Sequence, residues 1–207
     1  MRQLTRDQNG MLRDTASLAF GNAAYQMTDD DARGAEALVQ EMKNNYRSAT
    51  TPEQQALALR AIGNTRAPDA LDTLREAIRS NSIQVRVAAM EALRNIPGSE
   101  ADNLLSERLL SDPATQVRRG AVFACGFRPL GPLLPALRQA LQKDVSDGVR
   151  SDIINLLGTA RGAAPEVLLL LQWASQNDPH PELRRMATVF LNPAPAPSPL
   201  PSDSPAH

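Results

Sequence analysis

The sequence is poor in aromatics, cysteine and histidine, and it contains no long apolar run. Phe, Trp and Tyr together make up 3% of 207 residues. Sheet proteins lean on aromatic and β-branched side chains, whereas Ala and Leu, both strong helix formers, dominate here. One cysteine, Cys125, excludes an internal disulfide. Two histidines, His180 and His207, form no His-Glu pair and no Cys/His cluster, so neither an iron nor a zinc site is expected and no cofactor is implied. No window of 18 apolar residues exists, which predicts no membrane span. The stretch Met1 to Asp14 is polar and lacks an apolar segment of signal-peptide length, which points to a cytoplasmic chain; a piece of a longer precursor could instead be secreted or periplasmic. A charge excess of one sign is also missing. With 22 basic and 23 acidic residues the net charge is −1, which argues against a nucleic-acid partner.

What the sequence does contain is a repeat. An apolar residue followed by Arg recurs at Val85-Arg86, Val117-Arg118, Val149-Arg150 and Leu183-Arg184. An Asp stands six residues before three of these arginines, at Asp112, Asp144 and Asp178, while the first copy has Ser80 there. The apolar register returns as well. Val85, Ala89, Ala92, Leu93 and Ile96 match Val117, Ala121, Ala124 and Cys125, then Val149, Ile153, Leu156, Leu157 and Ala160. Steps of 4, 3, 1 and 3 lie on one face of a helix. Arg128 takes the last place in the middle copy, just before Pro129, so that helix should stop a turn early. Between these helices a second set is marked by Leu74 and Ile78, Leu105 and Leu109, Leu137 and Leu141, and Leu170 and Ala174. One such pair cannot bury its own faces, but a stack of pairs can.

The expected first helices are 11–26, 52–63, 83–95, 113–126, 147–159 and 181–191; the second helices are 32–47, 68–80, 100–110, 132–143 and 165–176. Thr51-Pro52-Glu53-Gln54 reads as a capping box with Pro at the first helical position. Asp112-Pro113 and Asp178-Pro179 read as Asp caps, and Ser99 with Asp102 as a weaker one. Gly21-Asn22 and Gly63-Asn64 read as helix C-caps. The resulting organisation is an N-terminal extension over 1–10, a helical array over 11–191, and a tail over 192–207 whose six prolines suit a disordered end or a ligand for a proline-reading domain. The last first-helix has no successor before the prolines, so Leu183, Ala187 and Phe190 are expected to leave an apolar end face.

The helix pairs, the Asp-x5-Arg spacing and the Val-Arg step resemble HEAT repeats over roughly residues 11–191. The resemblance implies an all-α, right-handed α-solenoid of about five helix pairs plus a final unpaired helix. It also implies a ladder of hydrogen bonds between neighbouring repeats through Asp112, Asp144, Asp178, Arg86, Arg118, Arg150 and Arg184, weakest at Ser80. Recurrence every 32 residues suits a structural role for these groups, since an active site is a single constellation. Leu57 to Asn64, Val85 to Ala89 and Leu18 to Asn22 also resemble the helical superhelix of the vitellogenin and microsomal triglyceride transfer family, which would make the chain the supporting arch of a lipid cavity whose sheets lie elsewhere.

Cys125 occupies the register of Leu93 and Leu157 and is expected to be a buried small hydrophobe rather than a nucleophile. Trp173 is expected to pack between the last two repeats. The function these readings favour is a non-catalytic scaffold that binds a protein partner on a concave face lined by the second helices. Polar residues expected there are Asp72, Arg75, Glu76, Arg79, Glu107, Arg108, Arg138, Gln139 and Lys143. Two other functions fit less directly: a helical module of a lipid-transfer protein, and a HEAT-like lyase subunit.

Overall fold

The computed structural model describes residues 10–26 and 32–192. The tail from 193, the N-terminal extension and the Thr28–Asp31 loop lie outside the described residues, as does most of what sequence patterning says about them. Eleven helices follow one another: α1 (Gly10–Gln26), α2 (Ala32–Ser48), α3 (Pro52–Thr65), α4 (Leu71–Ala77), α5 (Ile83–Leu93), α6 (Ser99–Ser111), α7 (Thr115–Cys125), α8 (Leu134–Lys143), α9 (Asp147–Thr159), α10 (Pro165–Asn177) and α11 (Pro181–Leu191). No strand occurs among the described residues. One-turn 3-10 segments, Pro68–Ala70 and Gly131–Leu133, lead into α4 and α8, because Pro and Gly at those starts delay regular α geometry. The chain is an all-α solenoid with two layers, odd-numbered helices on one side and even-numbered helices on the other.

Helix starts show which local signals act. Thr51 caps α3 by accepting from the Gln54 N–H at 3.3 Å, with Pro52 next in line. The Gln54 side chain reaches back one residue further than a standard box and accepts from the Thr50 N–H at 3.0 Å. The Asp caps come out differently. Asp112 and Asp178 do not cap at the first helical turn; α7 and α11 begin three residues later, after Ala114 and His180. Each Asp instead closes a tight turn by accepting from the N–H two residues on, at 2.9 Å for Ala114 and 2.8 Å for His180. Pro cannot donate at the intervening position, so the turn precedes the helix rather than starting it. Ser99 and Asp102 form no cap either. Gly98, at φ +98°, precedes α6, and Asp102 is used elsewhere.

The core runs the length of the stack, with Leu59, Ile62, Leu74, Met90, Leu93, Leu105, Leu137, Ile153 and Leu157 fully buried. Glycine sets the spacing of the odd layer. A Cβ on Gly63 would lie 2.6 Å from Ala92 Cα, and one on Gly21 would meet the Ala61 carbonyl. Gly21 and Gly63 are therefore not C-caps. They sit inside α1 and α3, where two helix backbones approach closely, and the left-handed residue that ends α3 is Arg66 at φ +55°.

Odd helices pack on one another from α1 through α11, whereas α2 and α4, or α4 and α6, barely touch. Small residues in the odd layer permit this close approach, as at Gly21 against Ala61 and Gly63 against Ala92.

The C-terminal end is also more closed than the sequence suggests. α11 packs on both α9 and α10, so Leu183 and Ala187 are buried, and the Phe190 ring lies directly against Gly158. What stays open is on α10, where Leu169 is 60% exposed. The matching Thr73 and Ala136 are buried by the helix pair that follows theirs. Trp173 is half-buried against the core nearby.

Candidate functional site

The ladder residues meet in three rungs of one geometry. Arg86 donates Nε and Nη2 to the two carboxylate oxygens of Asp112, at 2.9 and 3.1 Å. Arg118 does the same to Asp144, at 2.7 and 2.9 Å, and Arg150 to Asp178, at 2.8 and 3.3 Å. Each arginine's Nη1 also bonds the carbonyl six residues back, which is Ser80, Asp112 or Asp144. The Asp six residues before an Arg thus offers that Arg only its backbone; its carboxylate serves the repeat before. Hydrogen bonding to Asp144, partly offset by burial, raises the Arg118 pKa above its usual value. Arg184 ends the series with bonds to the Asp178 and Pro179 carbonyls and, among the described residues, no carboxylate partner. At Ser80 no rung forms, since the residue 26 places earlier is Gln54, already engaged with Thr50.

A fourth buried pair carries no repeat signature. Arg128 pairs with Asp102, and its Nη1 and Nη2 donate to the carbonyls of Leu93 and Gly98, each at 3.0 Å, and to Ile96 as well. The residue that interrupts the apolar register is thus a clamp on the loop after α5. Cys125 lies one turn away and is buried. Burial, with the Asp102 charge adding to it, pushes its thiol up to about 12.

The nine polar residues nominated on the even helices fall into two hollows and one ion pair. Asp72, Arg75, Glu76 and Arg79 line a shallow hollow with Tyr46 and Gln55. Burial, then the Glu76 charge, raises the Tyr46 phenol pKa there. Arg75 is held by Asp72 at 3.0 Å and by Glu100. Arg138, Gln139 and Lys143 line a second hollow with Glu166. Glu107 and Arg108 pair with each other between the two.

The odd-helix face holds a largely apolar groove. About 660 Å³ in volume, it is bounded by Val87, Gly120, Val122, Phe123, Phe127 and Leu156 of α5, α7, α9 and the turn after α7. Phe123 and Phe127 are 50% and 58% exposed and meet edge to face at 5.1 Å. The Arg94 guanidinium stands over both rings, 5.6 and 5.0 Å from their centroids. Polar bridges cross the same face: Arg60 to Glu91 at 2.8 Å, and Arg119 to Asp152 through two bonds at 2.6 and 3.1 Å. A smaller hollow of about 340 Å³ adjoins it and shares Glu91 and Phe123.

Sequence reasoning missed this face, although it carries a legible signal. Phe123 stands where the neighbouring copies have Glu91 and Asn155, and Phe127 where they have Asn95 and Thr159. Two of four phenylalanines thus occupy positions that are polar in the copies on either side.

A sequence model described as HEAT repeats matches residues 35–126. No curated protein matches the chain. Among solved structures, the chain is similar to one from the complex of CpcE and CpcF of phycocyanin lyase from Nostoc sp. PCC7120, with 16% identity, a TM-score of 0.54, and coverage of 91% of this chain and 73% of that one. It is also similar to an engineered protein at 17% identity and a TM-score of 0.50, covering 91% and 94%. A designed armadillo repeat protein follows at 18% identity and a TM-score of 0.49, covering 91% and 96%. At these identities the likeness is one of fold.

Proposed function

We propose that this chain, a HEAT-repeat α-solenoid, works by contact with a protein partner rather than by catalysis, and that its odd-helix face is the contact surface. The observation that carries this reading is the exposed Phe123–Phe127 pair on the odd-helix layer. Large apolar side chains left half in water lower the solubility of the free chain, and aromatic residues of this kind act as anchors at protein interfaces. Ion pairs Arg60–Glu91 and Arg119–Asp152 frame them with polar groups, the usual rim around an apolar centre. The carboxylates and guanidiniums of the three rungs are engaged with one another, which suits a structural role rather than substrate chemistry. Cys125 holds its proton far above neutral pH and lies inside the core. Likeness to a chain of the phycocyanin lyase complex extends to the fold and transfers no activity.

The test is affinity capture from the source cell, followed by quantitative mass spectrometry. Wild type is compared with the Phe123→Ser/Phe127→Ser double variant and with Arg75→Glu/Arg138→Glu on the even layer. Proteins recovered by wild type should drop at least tenfold with the phenylalanine variant and persist with the other. An identical set from all three chains, or loss confined to the even-layer variant, rejects the odd face as the contact surface.

A further inference from the structure

We infer that the odd-helix face takes an extended peptide segment of another protein, one that places a large apolar side chain against Phe127 and Leu156 and a carboxylate on Arg94. This rests on the reading that the odd face is the contact surface, and it adds the shape and chemistry of what binds there.

Shape comes from the continuity of the two hollows. They share Glu91 and Phe123, so a single trough runs from Leu18 on α1 to Thr159 on α9 and crosses five odd helices. Packed helices lie roughly 9 Å apart, which gives a trough of about 36 Å. An extended chain rises about 3.3 Å per residue, so about eleven residues would fill it. A compact small molecule would occupy one hollow and leave the other empty.

Chemistry comes from charge. Five ionic side chains line the trough: Arg60, Glu91, Arg94, Arg119 and Asp152. Arg60 and Glu91 neutralise each other, as do Arg119 and Asp152. Among the described residues Arg94 has no carboxylate partner; its side chain stands over the two phenylalanine faces. A planar guanidinium stacked on aromatic rings still presents its N–H edge, and that edge matches a carboxylate. An incoming Asp or Glu would therefore complete the charge balance without disturbing the stack, while a neighbouring Leu, Met or aromatic side chain covers the exposed rings. A basic segment would instead meet an unbalanced positive charge.

The experiment is selection of a random twelve-residue display library on the full chain. Recovered peptides are then titrated by fluorescence anisotropy against wild type, Phe127→Ser, Arg94→Glu and the even-layer control Arg138→Ala. All three substituted sites lie outside the buried core, so melting temperatures should stay close to one another. The expected result is enrichment of peptides that combine a large apolar residue with Asp or Glu, bound at least tenfold more weakly by Phe127→Ser and by Arg94→Glu, and equally by Arg138→Ala. Repeating the selection on Arg94→Glu should recover Lys or Arg in place of the acid. Peptides weakened by Phe127→Ser but indifferent to Arg94→Glu would overturn the acidic partner and leave the odd face standing. Peptides weakened only by Arg138→Ala would overturn both readings. No enriched peptide, with an apolar dye such as anilinonaphthalene sulfonate bound by wild type and lost in Phe127→Ser, would replace the peptide by a small apolar ligand and overturn this inference.

Discussion

At the scale of single residues, neighbours of the same type do different work. Arg118 and Arg184 occupy equivalent places, but only Arg118 holds a carboxylate, with its side chain 10% exposed and that of Asp144 5%. Removing one partner of a buried pair strands the other, at a cost of about 3 kcal/mol. Arg118→Ala should therefore lose about that much in chemical denaturation, while Arg184→Ala should lose under about 1 kcal/mol, the worth of a hydrogen bond to backbone. Equal losses would show that the rungs contribute little. Cys125 gives a second residue-scale prediction. Its thiol ionises near 9.0 in an ordinary setting and near 12 here. Between those values the unfolded chain gives up a proton that the folded chain keeps, so folding stability falls as pH rises from about 9 toward 12 and is fully retained below 9. The stability advantage of wild type over Cys125→Ala, measured by denaturant titration, should shrink from pH 8 to pH 11. At pH 8 the native thiol should resist alkylation and react once the chain is unfolded.

At the scale of helices, two glycines separate propensity from packing. Gly63 and Gly120 both lie inside helices of the odd layer. Ala in place of a helical Gly gains about 0.5–1 kcal/mol where space permits. At Gly120 the nearest atom to an added Cβ is 3.5 Å away, an ordinary contact, so Gly120→Ala should raise the melting temperature. At Gly63 the added Cβ would press on the Ala92 backbone at 2.6 Å, so Gly63→Ala should lower it, by about 1–3 kcal/mol of stability as overpacking does. Thermal melts of the two variants give opposite signs if helix–helix approach fixes the spacing of the layer. The sequence shows both glycines in helical windows and cannot tell them apart, because the distinction is a distance to a residue 29 or more places away. The same limit hid the role of Asp102, which looks like a capping group and is bound by Arg128 from the next repeat.

At the scale of the whole molecule, the last described helix changes residue type at a stacking position. Met90, Val122 and Ile154 sit at one register position and are buried by the next odd helix. On α11 that position is Thr188, which is exposed and turns its hydroxyl back to the Arg184 carbonyl at 2.8 Å. A polar outer face of this kind is what a terminal repeat needs. Thr188→Leu, beside the exposed Val189, should give concentration-dependent association in sedimentation velocity that wild type lacks under the same conditions.

Helical class, the two-helix repeat and the identity of most buried positions were determined by the sequence itself, because a core face is written in local periodicity: Val85, Val117 and Val149 announce their helices from within a window of about ten residues. The close approach of the odd helices, the pairing of Arg128 with Asp102 and the trough beside Phe123 and Phe127 were decided only by tertiary structure. Each depends on how closely helices from different repeats approach, and that distance is set by small side chains meeting across the layer, which no single helix records.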